Sequence, residues 1–272
     1  MRELLEAALA IDPVLIQLGP IAIRWYALAY VAGILLGFQY IKSLNKQSAP
    51  GIFSEKGLDD LVFYAVVGII IGGRLGYVLF YNAPYYVENP AEIVAIWQGG
   101  MSFHGGLIGA TVAFYRFSKR HYVPFLSVMD YIACAAPIGL FFGRIANFIN
   151  GELYGRVSDV NWAVVFPNGG SMPRHPSQLY EALLEGALLF IIMALLWHRT
   201  ALRRKRGCMA GIFLVGYGLS RFAIEFFREP DPQLGFLFAG ATMGQLLCIP
   251  MILLGSWLII KAEVPHESRI AD

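Results

Sequence analysis

The chain has 272 residues, of which 57% are hydrophobic and only 15% charged, with a mean hydropathy of +0.57 and a formal net charge of +2. Soluble domains carry about a quarter charged residues, so this composition excludes one water-exposed fold with a single core. It points instead to a bundle of membrane-spanning helices, and nothing in the charge balance indicates a nucleic-acid partner.

The N-terminal stretch, Met1 to Pro13, carries Glu3, Glu6 and Asp12 and lacks the basic region and small-residue cleavage site of a signal peptide. It is expected to be retained, as a short interfacial helix. A spanning helix needs about 20 mostly apolar residues. Seven candidates follow, at 21–41, 58–81, 94–116, 128–148, 178–198, 209–227 and 241–261. The third is interrupted by the glycines and histidine of Gly99 to Gly109. A broken helix at membrane depth is tolerated only where it is buried in protein or lines a cavity, so the interruption points to the site.

Of the 21 basic residues, 13 fall on one side, in the first, third and fifth loops and the tail, the last two being Lys261 and Arg269. Five, Arg2, Arg24, Arg156, Arg174 and Arg228, fall on the other. Basic loops stay cytoplasmic, which sets the N-terminus outside and the C-terminus inside. The cluster Arg199 to Arg206 reads as a topology determinant facing anionic lipid, and His121, His198 and His266 read as solvated. The fold expected is an all-α integral membrane protein, one transmembrane domain over 1–272, with a small cap on the outer side at 149–177. Cys134, Cys208 and Cys248 lie in separate segments without CxxC or Cys/His spacing, so neither a disulfide framework nor a metal site is indicated. No cofactor is indicated either.

Three arginines, Arg74, Arg144 and Arg221, fall inside candidate spans. Each costs at least ~2.5–3.5 kcal/mol on insertion scales and marks a functional site unless it merely pairs helices together. For Arg74, in GGRLGY, the two readings balance. Tyr217, Arg221, Glu225 and Arg228 recur at i, i+4, i+8 and i+11, one helix face. There Glu225 can orient Arg221 and leave guanidinium donors for an anionic ligand. Arg144 and Asn147 share a face at the end of the fourth span, followed by Asn150, Glu152 and Gly155 where helix gives way to loop. A planar guanidinium fork and neutral amides suit phosphate oxygens. His104 is the side chain best suited to take a proton near neutral pH. Tyr26 alone reads as an interfacial aromatic. His175 reads as structural or gating, with Ser177 as a helix N-cap. Glu181 and Glu185 suit burial opposite Arg74 or Arg221, and the sequence does not decide which.

The segment GRIANFINGELYG, Gly143 to Gly155, resembles the signature of bacterial prolipoprotein diacylglyceryl transferases at every fixed position. The resemblance continues, in order, through RWYALAY at Tyr26, GGRLGY at Arg74, MSFHGG at His104, RHPSQLYEA at Arg174 to Ala182, GYGLSRFAIEFFREPD at Gly216 to Asp231, and MGQLL at Met243. It implies a multi-pass protein of the bacterial cytoplasmic (inner) membrane. It implies transfer of the diacylglyceryl group of phosphatidylglycerol to the thiol of the lipobox cysteine in preprolipoprotein signal peptides, releasing glycerol phosphate. Arg144 and Arg221 belong to the essential set the resemblance implies, and Tyr26, Asn147, Glu152 and Gly155 match positions linked to activity. The helix face shared with Arg221 adds Tyr217 and Glu225 as substrate-binding residues, and the need of a thiol for a base adds His104. The competing reading is a transporter of lipid or organophosphate using the same arginines. Transporters commonly carry repeats and paired broken helices, and this sequence has one broken segment and no repeat.

Overall fold

A computed structural model describes residues 2–18, 21–48, 51–230, 235–237 and 240–264; Asp231, His266 and Arg269 lie outside them. The described chain is mostly helical. A short helix α1 (Arg2–Leu9) precedes an antiparallel hairpin of β1 (Val14–Leu18) and β2 (Ile21–Arg24). Then come α2 (Trp25–Gln47), α3 (Glu55–Phe80), α4 (Ala83–Glu88), α5 (Phe103–His121) and α6 (Phe125–Ile149). The helical run α7 (Ser177–Arg199), α8 (Cys208–Ile224) and α9 (Met243–Lys261) complete the order. Five helices, α2, α3, α6, α7 and α9, are long and apolar enough to cross a membrane, and α8 is a shorter apolar helix. The chain is a multi-pass membrane protein.

Several boundaries differ from those the sequence suggests. The first span starts at Trp25, because Ile21–Arg24 pairs with Val14–Leu18 as a strand. The segment expected to open a span at 94 forms short 3₁₀ turns, Pro90–Val94 and Ile96–Gln98. Gly99 and Gly100 then take φ of 85° and 78°, left-handed backbone that glycine adopts freely and a helix cannot contain. The Ser102 hydroxyl accepts from the Gly105 amide at 3.2 Å and starts α5 at Phe103. His104 thus stands in the first turn of an uninterrupted helix. Ser177 does not cap α7; its hydroxyl donates to the Leu153 carbonyl at 3.2 Å.

The chain divides into two compact units, Lys42–Met129 and Met1–Ile41 with Asp130–Asp272. In the smaller, α3 and α5 meet through glycines four residues apart, Gly68, Gly72 and Gly76 facing Gly105 and Gly109. A Cβ on Gly72 would lie 2.6 Å from Gly109 Cα, and one on Gly76 2.7 Å from Gly105 Cα. In lipid, where the hydrophobic effect does not press helices together, small residues let backbones approach and gain dispersion contacts. Buried Arg74 donates to four carbonyls, Glu92 at 2.7 Å, Ile93 at 2.8 Å, Gly99 at 2.5 Å and Gly100 at 3.2 Å, and lies over the Tyr86 ring. These contacts gather the connection ahead of α5, as the helix-holding reading of this arginine expects. His121 is no solvated loop residue: it stacks on Phe117 and pairs with Asp60 at 3.1 Å. His198 is exposed, as expected.

In the larger unit, Leu5, Ala8 and Leu9 of α1 pack on Phe148, Val164, Phe166, Tyr154 and Leu179. Asp130 on α6 accepts from the amides of Gly207 at 2.7 Å and Ala210 at 2.9 Å, satisfying the amino end of α8. A π-turn over Ala182–Leu188 widens α7, and Gly186 there lies so close to Phe141 that a Cβ would meet that residue at 2.7 Å. All three cysteines are buried and free.

Gly72→Ala is therefore expected to lower the thermal unfolding midpoint in detergent, overpacking costing ~1–3 kcal/mol. Gly139→Ala, where a Cβ meets nothing within 4 Å, is expected to leave the midpoint unchanged or raise it. Equal midpoints for the two variants would contradict the glycine contact.

Candidate functional site

Arginines within apolar helices need counter-charges, and α7 supplies two, each with its side chain fully buried: Glu181 and Glu185. Glu181 is the hub. One carboxylate oxygen accepts from Arg221 Nη1 on α8 and lies 3.3 Å from Arg228 Nη1 in the turn after it. The other lies 3.1 Å from Arg144 Nε on α6. Glu185 sits one turn further along, 3.6 Å from Arg144 Nη2 and 4.0 Å from Arg221 Nη1. Glu225 closes the ring. It binds Arg221 Nη2 and Arg228 Nε, the latter at 3.3 Å, and accepts the Thr242 hydroxyl at 2.7 Å. Thr242 also caps α9 in a reciprocal box with Gln245. Three guanidiniums thus face three carboxylates, while the arginines keep some exposure, 18% of the side chain for Arg144 and 16% for Arg221.

The i,i+4 pair Arg221–Glu225 forms as its spacing suggests. Both terminal nitrogens of Arg221 are occupied, however, because Glu181 takes the second. Tyr217 is half-buried and stacks on Phe213. Asn147 donates to Glu152 at 2.8 Å and Asn150 does so at 3.3 Å, so the two asparagines of the signature hold the carboxylate that follows them. Gly155 is where three backbones converge: its amide donates to the His175 carbonyl at 2.9 Å, and a Cβ would meet the Phe227 carbonyl oxygen at 2.5 Å. Any side chain there would force the segments apart. Tyr26 on α2 shares a hydrogen bond of 3.0 Å with Tyr30. His104 belongs to the other unit, exposed and edge-on to Phe103.

Sequence reasoning left the partner of Glu181 and Glu185 open; it is Arg221 together with Arg144, while Arg74 goes to carbonyls. It also counted Arg228 and Arg156 as loop charges. Arg228 is buried in the cluster, and Arg156 donates to the Arg228 carbonyl at 2.8 Å and the Glu225 carbonyl at 3.1 Å. The signal was present, since Arg228 lies on the face shared with Arg221. Arg174 bonds the Gly169 and Gly155 carbonyls at 2.8 and 3.2 Å and pairs with Glu229 at 3.0 Å. The His175 ring meets the Tyr180 hydroxyl at 3.1 Å and packs edge-on to Phe227. Burial pushes its pKa below the usual histidine value. Among the described residues, no three histidine, cysteine or acidic side chains are grouped to hold a metal ion.

The family model for prolipoprotein diacylglyceryl transferase matches residues 13–261 of the chain. The chain is 58% identical over 253 residues to the phosphatidylglycerol–prolipoprotein diacylglyceryl transferase of Paramagnetospirillum magneticum, covering 93% of this chain and 94% of that one. The proteins of the same name from Azospirillum brasilense and Rhodospirillum rubrum are 60% and 57% identical over 255 residues, with 93% of this chain and 95% and 93% of theirs covered.

Removing Glu181 leaves three guanidiniums short of a carboxylate. Glu181→Ala is expected to destabilise by ~3–5 kcal/mol, read as a large drop in thermal midpoint, while the isosteric Glu181→Gln loses less. A midpoint unmoved by the alanine change would deny the hub. His175 gives a pH signature. Its lowered pKa means that the unfolded chain binds the proton more readily, so stability holds above pH ~6.5 and falls as pH drops through the folded value. His175→Gln is expected to flatten the slope of midpoint against pH on the acid side.

Proposed function

Because the chain belongs to the prolipoprotein diacylglyceryl transferase family, we propose that its arginine–glutamate cluster binds the headgroup phosphate of phosphatidylglycerol for transfer of the diacylglyceryl group to a protein thiol. The observation that carries this is the convergence of Arg144 and Arg221 on Glu181. Two partly exposed guanidinium forks in one place suit the oxygens of a single phosphate. In the reaction, the sulfur of a lipobox cysteine forms a bond to the terminal glyceryl carbon. The bond from that carbon to the phosphate oxygen breaks, and glycerol phosphate leaves. Negative charge grows on the departing phosphate, where preorganised cations in a water-poor site stabilise it most.

The thiol, with an ordinary pKa of about 8.5, needs a base, and His104 is proposed for it. Tyr26, Asn147, Glu152, Gly155, Tyr217 and Glu225 complete the proposed substrate-binding set. Of these, Asn147 and Glu152 support each other, Glu225 orients Arg221, and Gly155 keeps the backbone of the segment in place. The partners are phosphatidylglycerol and preprolipoprotein signal peptides bearing the lipobox cysteine.

The same reading extends to topology. With α5 and α8 added to the five long helices, the chain crosses the bacterial inner membrane seven times, the third crossing entered through the Gly99–Ser102 discontinuity. The basic loops are cytoplasmic and the N-terminus outside. The chain acts as one transmembrane domain, with residues 149–177 as a cap on the outer side.

Purified protein, phosphatidylglycerol and a lipobox peptide are expected to yield a diacylglyceryl thioether on the cysteine, seen by mass spectrometry. A folded sample that yields no adduct refutes the proposal. Arg144→Ala and Arg221→Ala are each expected to slow transfer by ~10²-fold or more while the protein still inserts; near-normal turnover would reduce both to helix pairing. His104→Gln is expected to lose ~10²–10⁴-fold and recover partly at high pH. A variant that keeps its rate removes His104 from thiol activation.

A further inference from the structure

The three glutamates of the cluster are not equivalent. Glu181 and Glu225 are held by close contacts from two or more donors each, and Glu225 also accepts the Thr242 hydroxyl. Glu185 is fully buried, yet among the described residues no donor hydrogen-bonds to either of its oxygens, and its ion-pair partners Arg144 and Arg221 stand at 3.6 and 4.0 Å. Those are the two arginines assigned above to phosphate. A carboxylate so loosely held to the ligand-binding guanidiniums occupies ground that phosphate oxygens would take.

The charge balance gives the second constraint. With all three ionised, Glu181, Glu185 and Glu225 match Arg144, Arg221 and Arg228, while Glu152 and Arg156 in the segment after α6 add one charge of each sign. A phosphodiester adds one negative charge, and an uncompensated charge inside a low-dielectric site is unfavourable. Neutralising a displaced carboxylate with a proton removes that excess, and a buried carboxyl without hydrogen-bond donors gives up its charge at the least cost.

Resting on the transferase reading, we propose that Glu185 is a displaceable counter-ion that holds the phosphate's place on Arg144 and Arg221 and takes up one proton from solution when the headgroup binds. The groups facing it are Arg144 from α6, Glu181 from its own helix, Tyr217 and Arg221 from α8, Arg228 from the following turn, and Cys248 from α9. The arginines stay charged throughout and Glu181 is already committed to three of them, which leaves Glu185 as the group that exchanges.

Calorimetric titration of the detergent-purified full chain with dihexanoyl phosphatidylglycerol, in two buffers of different ionisation enthalpy, counts the protons directly. The native protein is expected to take up protons on binding the lipid, the number approaching one per lipid above neutral pH, with affinity weakening up to about tenfold per pH unit as pH rises. Glu185→Gln is expected to bind with almost no uptake and a flat pH profile, and Glu185→Asp to keep the uptake. Binding by the native protein without proton uptake overturns the inference and leaves headgroup binding standing; that measurement needs no variant. Uptake that persists in Glu185→Gln also overturns it, placing the proton elsewhere. Failure of the native protein to bind the lipid at any pH removes the headgroup reading, and this inference with it.

Discussion

Two guanidinium groups cannot be held side by side in a poorly solvated place without a carboxylate between them, and this constraint organises the larger unit. Like charges at this separation repel strongly where water does not screen them. Glu181 answers the repulsion from Arg144, Arg221 and Arg228 at once. In doing so it ties α6, α7 and the end of α8 to one another, and Glu225 extends the tie to α9 through Thr242. A cavity-free apolar interface would hold these helices at lower electrostatic cost. An ionic one fixes the direction in which the guanidiniums point, which a site for an anion requires.

The segment after α6 is wired into this arrangement by its backbone. Gly155 forms an isolated bridge with Arg228, Arg156 donates to the Phe227 carbonyl at 2.9 Å, and Val157 and Val164 each bridge to Arg174. Residues that hold the cluster and residues that hold the loop are therefore neighbours in one hydrogen-bonded lattice. A disturbance of the loop backbone near Gly155 is felt at Arg228 without any change in the arginine itself.

Much of this was legible in the sequence, and the part that was not has a physical reason. Apolar runs announced the long helices, because lipid demands length and hydropathy that no other environment requires. The expense of Arg144 and Arg221 drew attention to the ionic cluster, and the i,i+4 spacing of Arg221 and Glu225 foretold their pairing. Local spacing says which residues share a face but not which face meets it, so the partners of Glu181 and Glu185 stayed open. Arg74 shows the same limit from the other side: its partners are main-chain carbonyls, which leave no trace in side-chain identity. The start of α2 was missed because Ile21–Arg24 is apolar enough for a span yet pairs with Val14–Leu18 as a strand.

The burial of the three cysteines bears on a protein whose proposed chemistry alkylates a thiol. Cys134, Cys208 and Cys248 are all buried, Cys134 and Cys208 beside Asp130 and Cys248 against the arginine–glutamate cluster. An exposed cysteine close to a bound diacylglyceryl donor would compete with the lipobox residue and, once alkylated, would carry a permanent lipid on the catalyst. Burial of Cys134 and Cys208 keeps two of the three thiols away from such a donor, a protection that the sequence, with three cysteines and no pattern among them, did not disclose.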